Sequence, residues 1–141
     1  MKRGITILIA IFFLNCTSDD SKSIDKTGLI GTWKLIEQFA DPGDGSGAFQ
    51  PIESDRVIEF FSNGTLTVNS TLCFRDNTII PNQSASGTYV FASESEFNTG
   101  DIMPNDCNSE LNRITFEIED SKLILWYLCV EGCGEKFEKI L

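Results

Sequence analysis

Apolar and polar residues alternate along most short segments after residue 30 of this 141-residue chain. A period of two is typical of β-strands that bury one face and leave the other in water. The segment from Arg113 to Glu119 keeps this period without a break, because Ile114, Phe116 and Ile118 occupy every second position. No segment after residue 28 has the period of an amphipathic helix. The sequence therefore predicts an all-β fold.

Seven or eight short strands fit this pattern. Strands are predicted at residues 31–39, 56–61, 65–68, 87–91, 113–119, 123–129 and 134–141, with weaker candidates within 75–86 and at 96–98. Asn63-Gly64 predicts a hairpin, because both residues tolerate the positive φ angles of a type I′ turn. The strands form either a sandwich or a small antiparallel barrel, and the barrel of about eight strands is favoured because closure leaves no edge exposed.

Two long polar segments, residues 41–54 and 92–110, are predicted to be loops. The first contains Asp41, Asp44 and Ser46, whose oxygen atoms are of the kind that bind calcium. Their spacing does not match a calcium loop with alternate acidic positions and a distal glutamate. We therefore expect a flexible loop there and no metal site.

The first residues of the chain have the pattern of a bacterial export signal. Lys2 and Arg3 precede an apolar run, Ile5–Leu14, that is too short to span a bilayer and has the length of a signal-peptide core. The run ends at Cys16 without the small-residue cleavage site of an ordinary secreted protein. This arrangement resembles the lipobox of bacterial lipoproteins, in which the cysteine becomes the first residue of the mature chain and carries the lipid.

That resemblance implies three parts: a signal peptide at 1–15, lipidated Cys16 with a flexible tether at 16–28, and one domain at 29–141. Two or more acyl chains, such as palmitate, make an anchor of this kind stable. The acidic pair Asp19-Asp20 resembles the surface-export signal of lipoproteins in Bacteroidetes-type bacteria. We expect a lipid-anchored protein of the outer membrane on the cell surface, with the periplasmic face as the alternative.

An excess of acidic residues limits the partners of the chain. Its 21 acidic and 11 basic residues give a formal net charge of −10. Removal of Lys2 and Arg3 with the signal leaves nine basic residues against the same 21 acids, a net charge of −12. Such a chain is unsuited to nucleic acid and to anionic lipid surfaces. We expect a monomer that binds no nucleic acid and is held at the membrane by its lipid.

The chain contains no histidine. This excludes hydrolases with a histidine base and zinc sites of the HExxH type. Carboxylate pairs, such as Glu94 with Glu96 or Asp101 with Asp106, are the remaining candidates for catalysis, of the glycosidase type. Such pairs arise by chance in an acidic chain, and we expect no catalytic residue, no cofactor and no enzyme activity.

Four cysteines besides the one in the lipobox lie at Cys73, Cys107, Cys129 and Cys133. An even number in an exported protein predicts two disulfides. A zinc site of four cysteines is the alternative, but the paired spacing of such sites is lacking. Three pairings are possible; a bridge from Cys129 to Cys133 would close a tight turn and leave Cys73 for Cys107.

Gly31-x-Trp33 on the first predicted strand resembles the opening of lipocalins. In that family the tryptophan plugs one end of the barrel beneath a basic side chain of the last strand, a role that the resemblance gives to Lys139 or Lys136. Three further stretches, in order, resemble the lipocalin-like domain of Bacteroidetes lipoproteins: DPGDGSGAFQPIES, IEFFSNGTLTVNSTLC and LCVEGCGEKFEKIL. The resemblance covers residues 29–141 and implies a fold and a location, because the family has no assigned activity.

Two functions are compatible with these features. A lipocalin-like barrel anchored by lipid can bind a small apolar molecule or a lipid, with aromatic side chains around a cavity and no ligand-binding residue yet identifiable. Alternatively, the barrel is filled by its own side chains and serves as a protein-interaction or inhibitor module through its loops at 41–54 and 92–110. The size of the interior distinguishes the two.

Overall fold

The computed structural model describes residues 28–73, 84–93, 96, 99–107, 113–129 and 132–141, and these residues form nine strands and no helix. The predicted all-β fold is therefore confirmed. The strands are β1 (Gly31–Ala40), β2 (Ala48–Pro51), β3 (Val57–Phe60), β4 (Thr65–Val68), β5 (Ala85–Phe91), β6 (Thr99–Pro104), β7 (Ile114–Glu119), β8 (Lys122–Tyr127) and β9 (Cys133–Lys139). The described residues accordingly include no helix with the length and hydropathy to cross a membrane.

Eight of the nine strands close into an antiparallel barrel. From β3 to β9, each strand pairs with the next one along the chain. β1 closes the ring, because its residues pair with β3 and also with β9. β2 is an additional strand that pairs with the second half of β1. The predicted barrel of about eight strands is confirmed.

The start of β1 and the end of β9 meet at one end of the barrel, where Trp33 and Lys139 are partners in register. We call this end the Trp33 end. Because the strands are antiparallel, it also carries the β3–β4 turn at residues 61–64 and the β7–β8 turn at residues 120–121. The first described residue, Gly28, lies here too, since its carbonyl oxygen accepts a hydrogen bond from Lys139 Nζ at 2.7 Å.

The opposite end of the barrel carries both disulfides, and we call it the disulfide end. One bridge joins Cys73 to Cys107, with 5.3 Å between their Cα atoms. The other joins Cys129 to Cys133, with 6.0 Å between their Cα atoms. This is the pairing that the short separation of Cys129 and Cys133 favours. The first bridge joins the segments that follow β4 and β6, and the second closes the connection between β8 and β9.

Two strands lie where the sequence predicts loops. β2 occupies residues 48–51 within segment 41–54, and β6 occupies residues 99–104 within segment 92–110. The prediction of loops there is wrong at these positions, because glycine, proline and aspartate lower local strand propensity but tertiary pairing overrides it. β6 pairs with β5 on one side and β7 on the other, and it places Ile102 in the core with 0% exposure.

The predicted Asn63-Gly64 hairpin is present with a different turn. The loop has three residues, because Phe61 N–H donates to the Thr65 carbonyl at 2.9 Å and only Gly64 has a positive φ, 82°. Asn63 instead accepts hydrogen bonds at Oδ1 from the Thr65 backbone amide and hydroxyl, at 3.1 and 2.7 Å. The expected type I′ geometry at this site is therefore wrong; the loop is of the kind that places glycine last.

A two-residue turn with positive φ at both positions occurs between β7 and β8. Asp120 and Ser121 have φ values of 48° and 62°, between the paired residues Glu119 and Lys122. Two such residues are the requirement of a type I′ turn, for which Asn-Gly and Asp-Gly are preferred. Ser121 therefore occupies a position at which glycine would adopt the same backbone conformation without strain.

A shift of register in β1 changes which side chains face the interior. The pairing with β9 slips between Leu35 and Glu37, as at a β-bulge. Leu35 is buried in the core, and Gln38, three residues later, also faces inward, because its Nε2 donates to Glu135 in the interior at 3.3 Å. The bulge therefore sends Phe39 to the outer wall of the barrel, where it packs on Trp126.

Alternate residues of all eight barrel strands meet in one hydrophobic core. Its members are Leu29, Trp33, Leu35, Ile58, Phe60, Leu66, Val68, Leu72, Ala85, Tyr89, Ile102, Ile114, Phe116, Leu123, Leu125, Tyr127 and Phe137. Each is at most 8% exposed. These side chains form the core inside the barrel.

Candidate functional site

The Trp33 end is closed by the two residues that the lipocalin resemblance pairs. Trp33 is 2% exposed and its Nε1 donates to the Leu29 carbonyl at 2.8 Å. Lys139 Nζ lies 5.4 Å from the centroid of the Trp33 ring, within the range of a cation–π contact. The basic side chain at this end is thus Lys139, whereas Lys136 lies elsewhere on the outer wall of the barrel.

Gly31 explains why a glycine precedes the plugging tryptophan. Its φ is 129°, a value that favours glycine. A Cβ atom at this position would collide with the carbonyl oxygen of Leu141. That same oxygen accepts a hydrogen bond from Thr32 N–H at 2.8 Å, which fixes the end of the chain against the start of β1. The Gly-x-Trp stretch therefore serves barrel closure.

Aromatic rings fill the interior next to the Trp33 end. The Phe60 ring lies 5.3 Å from that of Tyr89 and 6.3 Å from that of Phe116, measured between centroids. Phe91 adds contacts of 5.9 Å to Tyr89 and 5.8 Å to Phe116. The Tyr89 hydroxyl donates to the Phe61 carbonyl at 2.7 Å, so its polar atom is satisfied. Most of these contacts are edge to face, as in a packed core.

A buried polar network occupies the interior at the disulfide end. Arg56 and Glu135 are both 0% exposed, and Arg56 Nη2 lies 3.4 Å from Glu135 Oε2. Tyr127 lies between them: its hydroxyl accepts from Arg56 Nη2 at 2.9 Å and donates to Glu135 Oε2 at 2.7 Å. Gln38 Nε2 donates to the other Glu135 oxygen at 3.3 Å. The charge of each buried ion is thus balanced inside the barrel.

Burial raises the pKa of the Tyr127 hydroxyl well above 10, and the negative charge of Glu135 raises it further. The nearby Arg56 guanidinium acts in the opposite direction without reversing the shift. The phenol therefore stays protonated at neutral pH and serves as a hydrogen-bond donor to Glu135. This arrangement suits a structural clamp between two charges, because a general base needs a pKa near the working pH.

The positions of Arg56 and Glu135 in the sequence carry a signal for this network, although the sequence pattern did not lead to its prediction. Arg56 lies two residues before buried Ile58, and Glu135 lies two residues before buried Phe137. In a strand, residues two apart point to the same face. Both charges are therefore in phase with the apolar face of their strands. A charge in that position has to be paired once the strand is buried.

Three aromatic rings form a second feature at the disulfide end, on the outside of the barrel. We call Phe39, Phe49 and Trp126 the outer aromatic cluster. Their ring centroids are 5.4 Å apart for Phe39 and Phe49, 5.5 Å for Phe39 and Trp126, and 5.6 Å for Phe49 and Trp126. All three rings stay partly exposed. The cluster packs β2 against the barrel and leaves ring surface open to solvent.

Charged side chains border the outer aromatic cluster. Lys136 Nζ lies 4.1 Å from the Phe49 ring centroid and 3.1 Å from Glu37 Oε2. The indole Nε1 of Trp126 donates to Glu117 Oε1 at 2.8 Å. The basic residue of β9 that does not close the barrel is therefore part of this surface.

The acidic loop after β1 uses its oxygen atoms internally. Asp41 Oδ1 accepts from the Gly43 amide at 2.8 Å. Asp44 Oδ1 accepts from the hydroxyl and the amide of Ser46, at 2.5 and 3.0 Å. These hydrogen bonds hold the pKa of Asp44 below its ordinary value, the hydroxyl having the larger effect. Among the described residues, no three cysteine, aspartate or glutamate side chains lie close enough to hold a metal ion.

Asp101 and Asp106, one of the carboxylate pairs considered for catalysis, each have another partner. Asp101 forms a salt bridge with Arg113, and Asp106 Oδ2 accepts from the Ser86 amide at 3.1 Å. Glu96 belongs to the described residues, whereas Glu94 does not. Cys16 also lies outside the described residues.

A concave surface of about 310 Å³ lies on the outer wall between β3 and β4. Its lining includes Val57, Glu59, Thr67 and Asn69. Glu59 and Thr67 are cross-strand partners whose side chains point away from the core, since their neighbours Ile58, Phe60 and Leu66 are buried. This groove is therefore separate from the barrel interior.

The fold places this chain among closed antiparallel β-barrels with one additional strand. No protein-family model matches the chain. No curated protein matches it either. Among solved structures, the crystal structure of an uncharacterized protein from Bacteroides eggerthii DSM 20697 is similar, with 18% sequence identity and a TM-score of 0.47. The similarity covers 79% of this chain and 99% of that one.

Proposed function

We propose that this chain is a lipid-anchored interaction module of the bacterial cell surface, built on a barrel that its own side chains fill. The observation that carries the proposal is the burial of the interior. Leu66, Leu125 and Phe137 come from three different strands and are all 0% exposed. A side chain that lined a ligand cavity would have surface exposed toward that cavity, and these have none.

The packing of both ends supports the same function. At one end Trp33 and Lys139 stack over the core, and at the other Arg56, Tyr127 and Glu135 fill the space between the strands. A cavity for a drug-sized ligand needs about 300–1,000 Å³ and an entrance. A groove of about 310 Å³ lies on the outer wall, between β3 and β4.

The point at which the chain enters the barrel supports a particular orientation. Gly28 is held at the Trp33 end by the 2.7 Å hydrogen bond from Lys139. If Cys16 carries the lipid, the tether from residue 17 to residue 27 attaches the barrel to the membrane at that end. The disulfide end then faces away from the membrane, toward partners.

Native mass spectrometry of the protein released from membranes of a lipoprotein-producing host tests this proposal. We expect the mass of the lipidated chain alone, with no stoichiometric small molecule in addition. A Cys16→Ser variant, which cannot be lipidated, should be recovered in the soluble fraction with the same fold. Co-purification of a small apolar molecule at one per barrel would contradict the proposal and favour the ligand-binding alternative. An unmodified Cys16 in membrane-purified protein would contradict the anchor.

A further inference from the structure

The outer aromatic cluster differs from the aromatic rings of the interior. The interior rings of Phe60, Phe116 and Tyr89 are 1–8% exposed, whereas the rings of the cluster stay partly exposed after packing on each other. Leu128, two residues after Trp126, is 73% exposed and adds apolar surface at the same end of the barrel. It lies between buried Tyr127 and the bridged Cys129, so its backbone is restrained on both sides.

The cluster also has the chemistry that holds cations. Aromatic faces attract an ammonium or guanidinium group, and a nearby carboxylate strengthens that attraction. Here the chain supplies such a cation itself, because Lys136 lies 4.1 Å over Phe49 and 3.1 Å from Glu37. Lys136 is 24% exposed and Glu37 is 28% exposed, so both can be reached from solvent. Glu117, hydrogen-bonded to Trp126, provides a second carboxylate beside the rings.

We propose that the outer aromatic cluster binds a cationic segment of a partner protein, in which lysine or arginine alternates with apolar residues. One basic side chain of the partner takes the place of Lys136 on Phe49 and Glu37. Another stacks on Trp126 and pairs with Glu117. Its apolar residues cover the rest of the cluster and Leu128. This inference rests on the proposed function and names the surface and the partner chemistry for it.

Charge favours this occupant over the two others that an apolar surface can have. The chain without its signal has 21 acidic and nine basic residues, so a second copy and an anionic membrane are both repelled. A basic segment is attracted instead. The acidic loop that contains Asp41 and Asp44 begins after Ala40, the residue that follows Phe39 and ends β1, and it adds negative charge near the cluster.

A pair of short synthetic peptides tests the inference on the folded chain without its signal. One peptide alternates arginine with leucine, and its matched control carries glutamate in place of every arginine. Binding is measured by titration calorimetry and by tryptophan fluorescence, which reports Trp126 because the only other tryptophan, Trp33, is 2% exposed. We expect binding of the arginine peptide, a change in Trp126 emission, weaker binding in high salt and no binding of the glutamate peptide.

Two variants separate a specific site from general attraction by charge. Phe49→Leu keeps apolar volume but removes a ring, and it should weaken binding roughly two- to fivefold. Val90→Ala changes a residue that is 52% exposed on β5, on the far side of the barrel, and should leave binding unchanged. Circular dichroism and thermal unfolding establish that both variants are folded.

The inference is overturned if the arginine peptide does not bind, if Phe49→Leu binds as tightly as the parent, or if both peptides bind equally. If one of these results is obtained and the interior holds no small molecule, the proposed interaction module still stands. Only the assignment of the outer aromatic cluster as its binding surface is then rejected. A stoichiometric apolar molecule inside the barrel would instead contradict the proposed function itself. If sedimentation shows a dimer and Phe49→Leu abolishes it, the occupant of the surface is a second copy of the chain. That result would contradict the basic partner.

Discussion

Tyr127 donates its hydroxyl hydrogen to Glu135 across 2.7 Å inside the barrel, and the same hydroxyl oxygen accepts a hydrogen bond from Arg56 at 2.9 Å. The two charged residues are themselves 3.4 Å apart and fully buried. A buried ion pair stabilises little by itself, since desolvation offsets the attraction, but removal of one partner leaves an uncompensated charge. The network therefore makes the disulfide end sensitive to single changes.

Replacement of Glu135 alone should be strongly destabilising. In Glu135→Leu the Arg56 guanidinium stays buried without its counterion, and we expect a loss of about 3–5 kcal/mol in the free energy of unfolding. The double variant Arg56→Met/Glu135→Leu should lose less than Glu135→Leu, because no buried charge remains. Urea unfolding monitored by circular dichroism measures both values. Glu138→Gln, which removes a salt bridge to Lys122 between partly exposed side chains, is the control and should change stability by less than about 1 kcal/mol.

Tyr127 should make stability fall at high pH. Its pKa is raised on folding, so the folded state holds the phenol proton more tightly than the unfolded state does. The stabilisation is complete below the unfolded pKa of about 10 and is lost as pH rises through the folded pKa. Tyr127→Phe should lack this part of the pH dependence.

The phenol titration of Tyr127 can be isolated, because the chain has two tyrosines. In Tyr89→Phe the near-ultraviolet phenolate absorbance belongs to Tyr127 alone. It should develop well above pH 10 or together with unfolding. A reversible midpoint near 10 in the folded protein would contradict the buried position of the hydroxyl.

Trp33 should contribute more to stability than any partly exposed ring. Truncation of a buried tryptophan removes its transfer free energy and leaves a cavity, so Trp33→Ala should cost roughly 3–5 kcal/mol. Lys139→Met keeps the aliphatic stem and removes the ammonium group, and it should cost roughly 0.5–1 kcal/mol. Thermal and urea unfolding provide the measurement. A cost for Trp33→Ala below that of Phe49→Ala would argue that Trp33 does not plug the barrel.

Glycine at the β7–β8 turn should stabilise the protein. Ser121 has a φ of 62°, in the left-handed region that costs roughly 1–2 kcal/mol for a residue with a Cβ. Ser121→Gly relieves that cost but adds freedom to the unfolded chain, so we expect a net gain of roughly 0.5–1 kcal/mol. Ser62→Gly, in the β3–β4 loop at a position without a positive φ, should give no gain. Equal effects at the two sites would contradict the turn assignment.

The two disulfides should differ in their contribution to stability. The Cys73–Cys107 bridge separates its cysteines by 34 residues, and the Cys129–Cys133 bridge by 4. A longer loop restrains the unfolded chain more, so replacing the first pair by alanine should cost roughly 3–4 kcal/mol and the second roughly 2 kcal/mol. Urea unfolding of the two double variants gives the comparison. A larger loss of stability for the Cys129–Cys133 pair than for the Cys73–Cys107 pair would contradict this order. It would show that the short bridge stabilises mainly the folded state.

A strand with unbroken alternation could be predicted from the sequence, as β7 demonstrates. β8 could be predicted from a continuous apolar run bounded by a turn. β6 could not, because Gly100 and Pro104 weaken its propensity, and only its pairing with two neighbours makes it a strand. The resemblance to lipocalins gave Trp33 either Lys139 or Lys136 as a partner, and the structure places Lys139 there.

The partners within the network, and the outer aromatic cluster, could not be derived in the same way. Arg56 and Tyr127 are 71 residues apart, and nothing in the spacing of strands indicates that they meet. The β-bulge after Leu35 reverses the phase of β1, so the sequence pattern alone assigns Phe39 to the same face as Leu35. The pairing of distant strands therefore decides which residues meet in the buried network. The extra residue of the β-bulge in β1 decides that Phe39 joins the outer aromatic cluster.

Binding of a small apolar probe is the most direct test of the filled barrel. Titration calorimetry with benzene or indole should detect no binding to the parent chain. Phe116→Ala, which empties a position that is 1% exposed among the rings of Phe60, Tyr89 and Phe91, should create an apolar cavity and bind the probe. Saturable binding of the probe by the parent barrel, at one molecule per chain, would contradict the account.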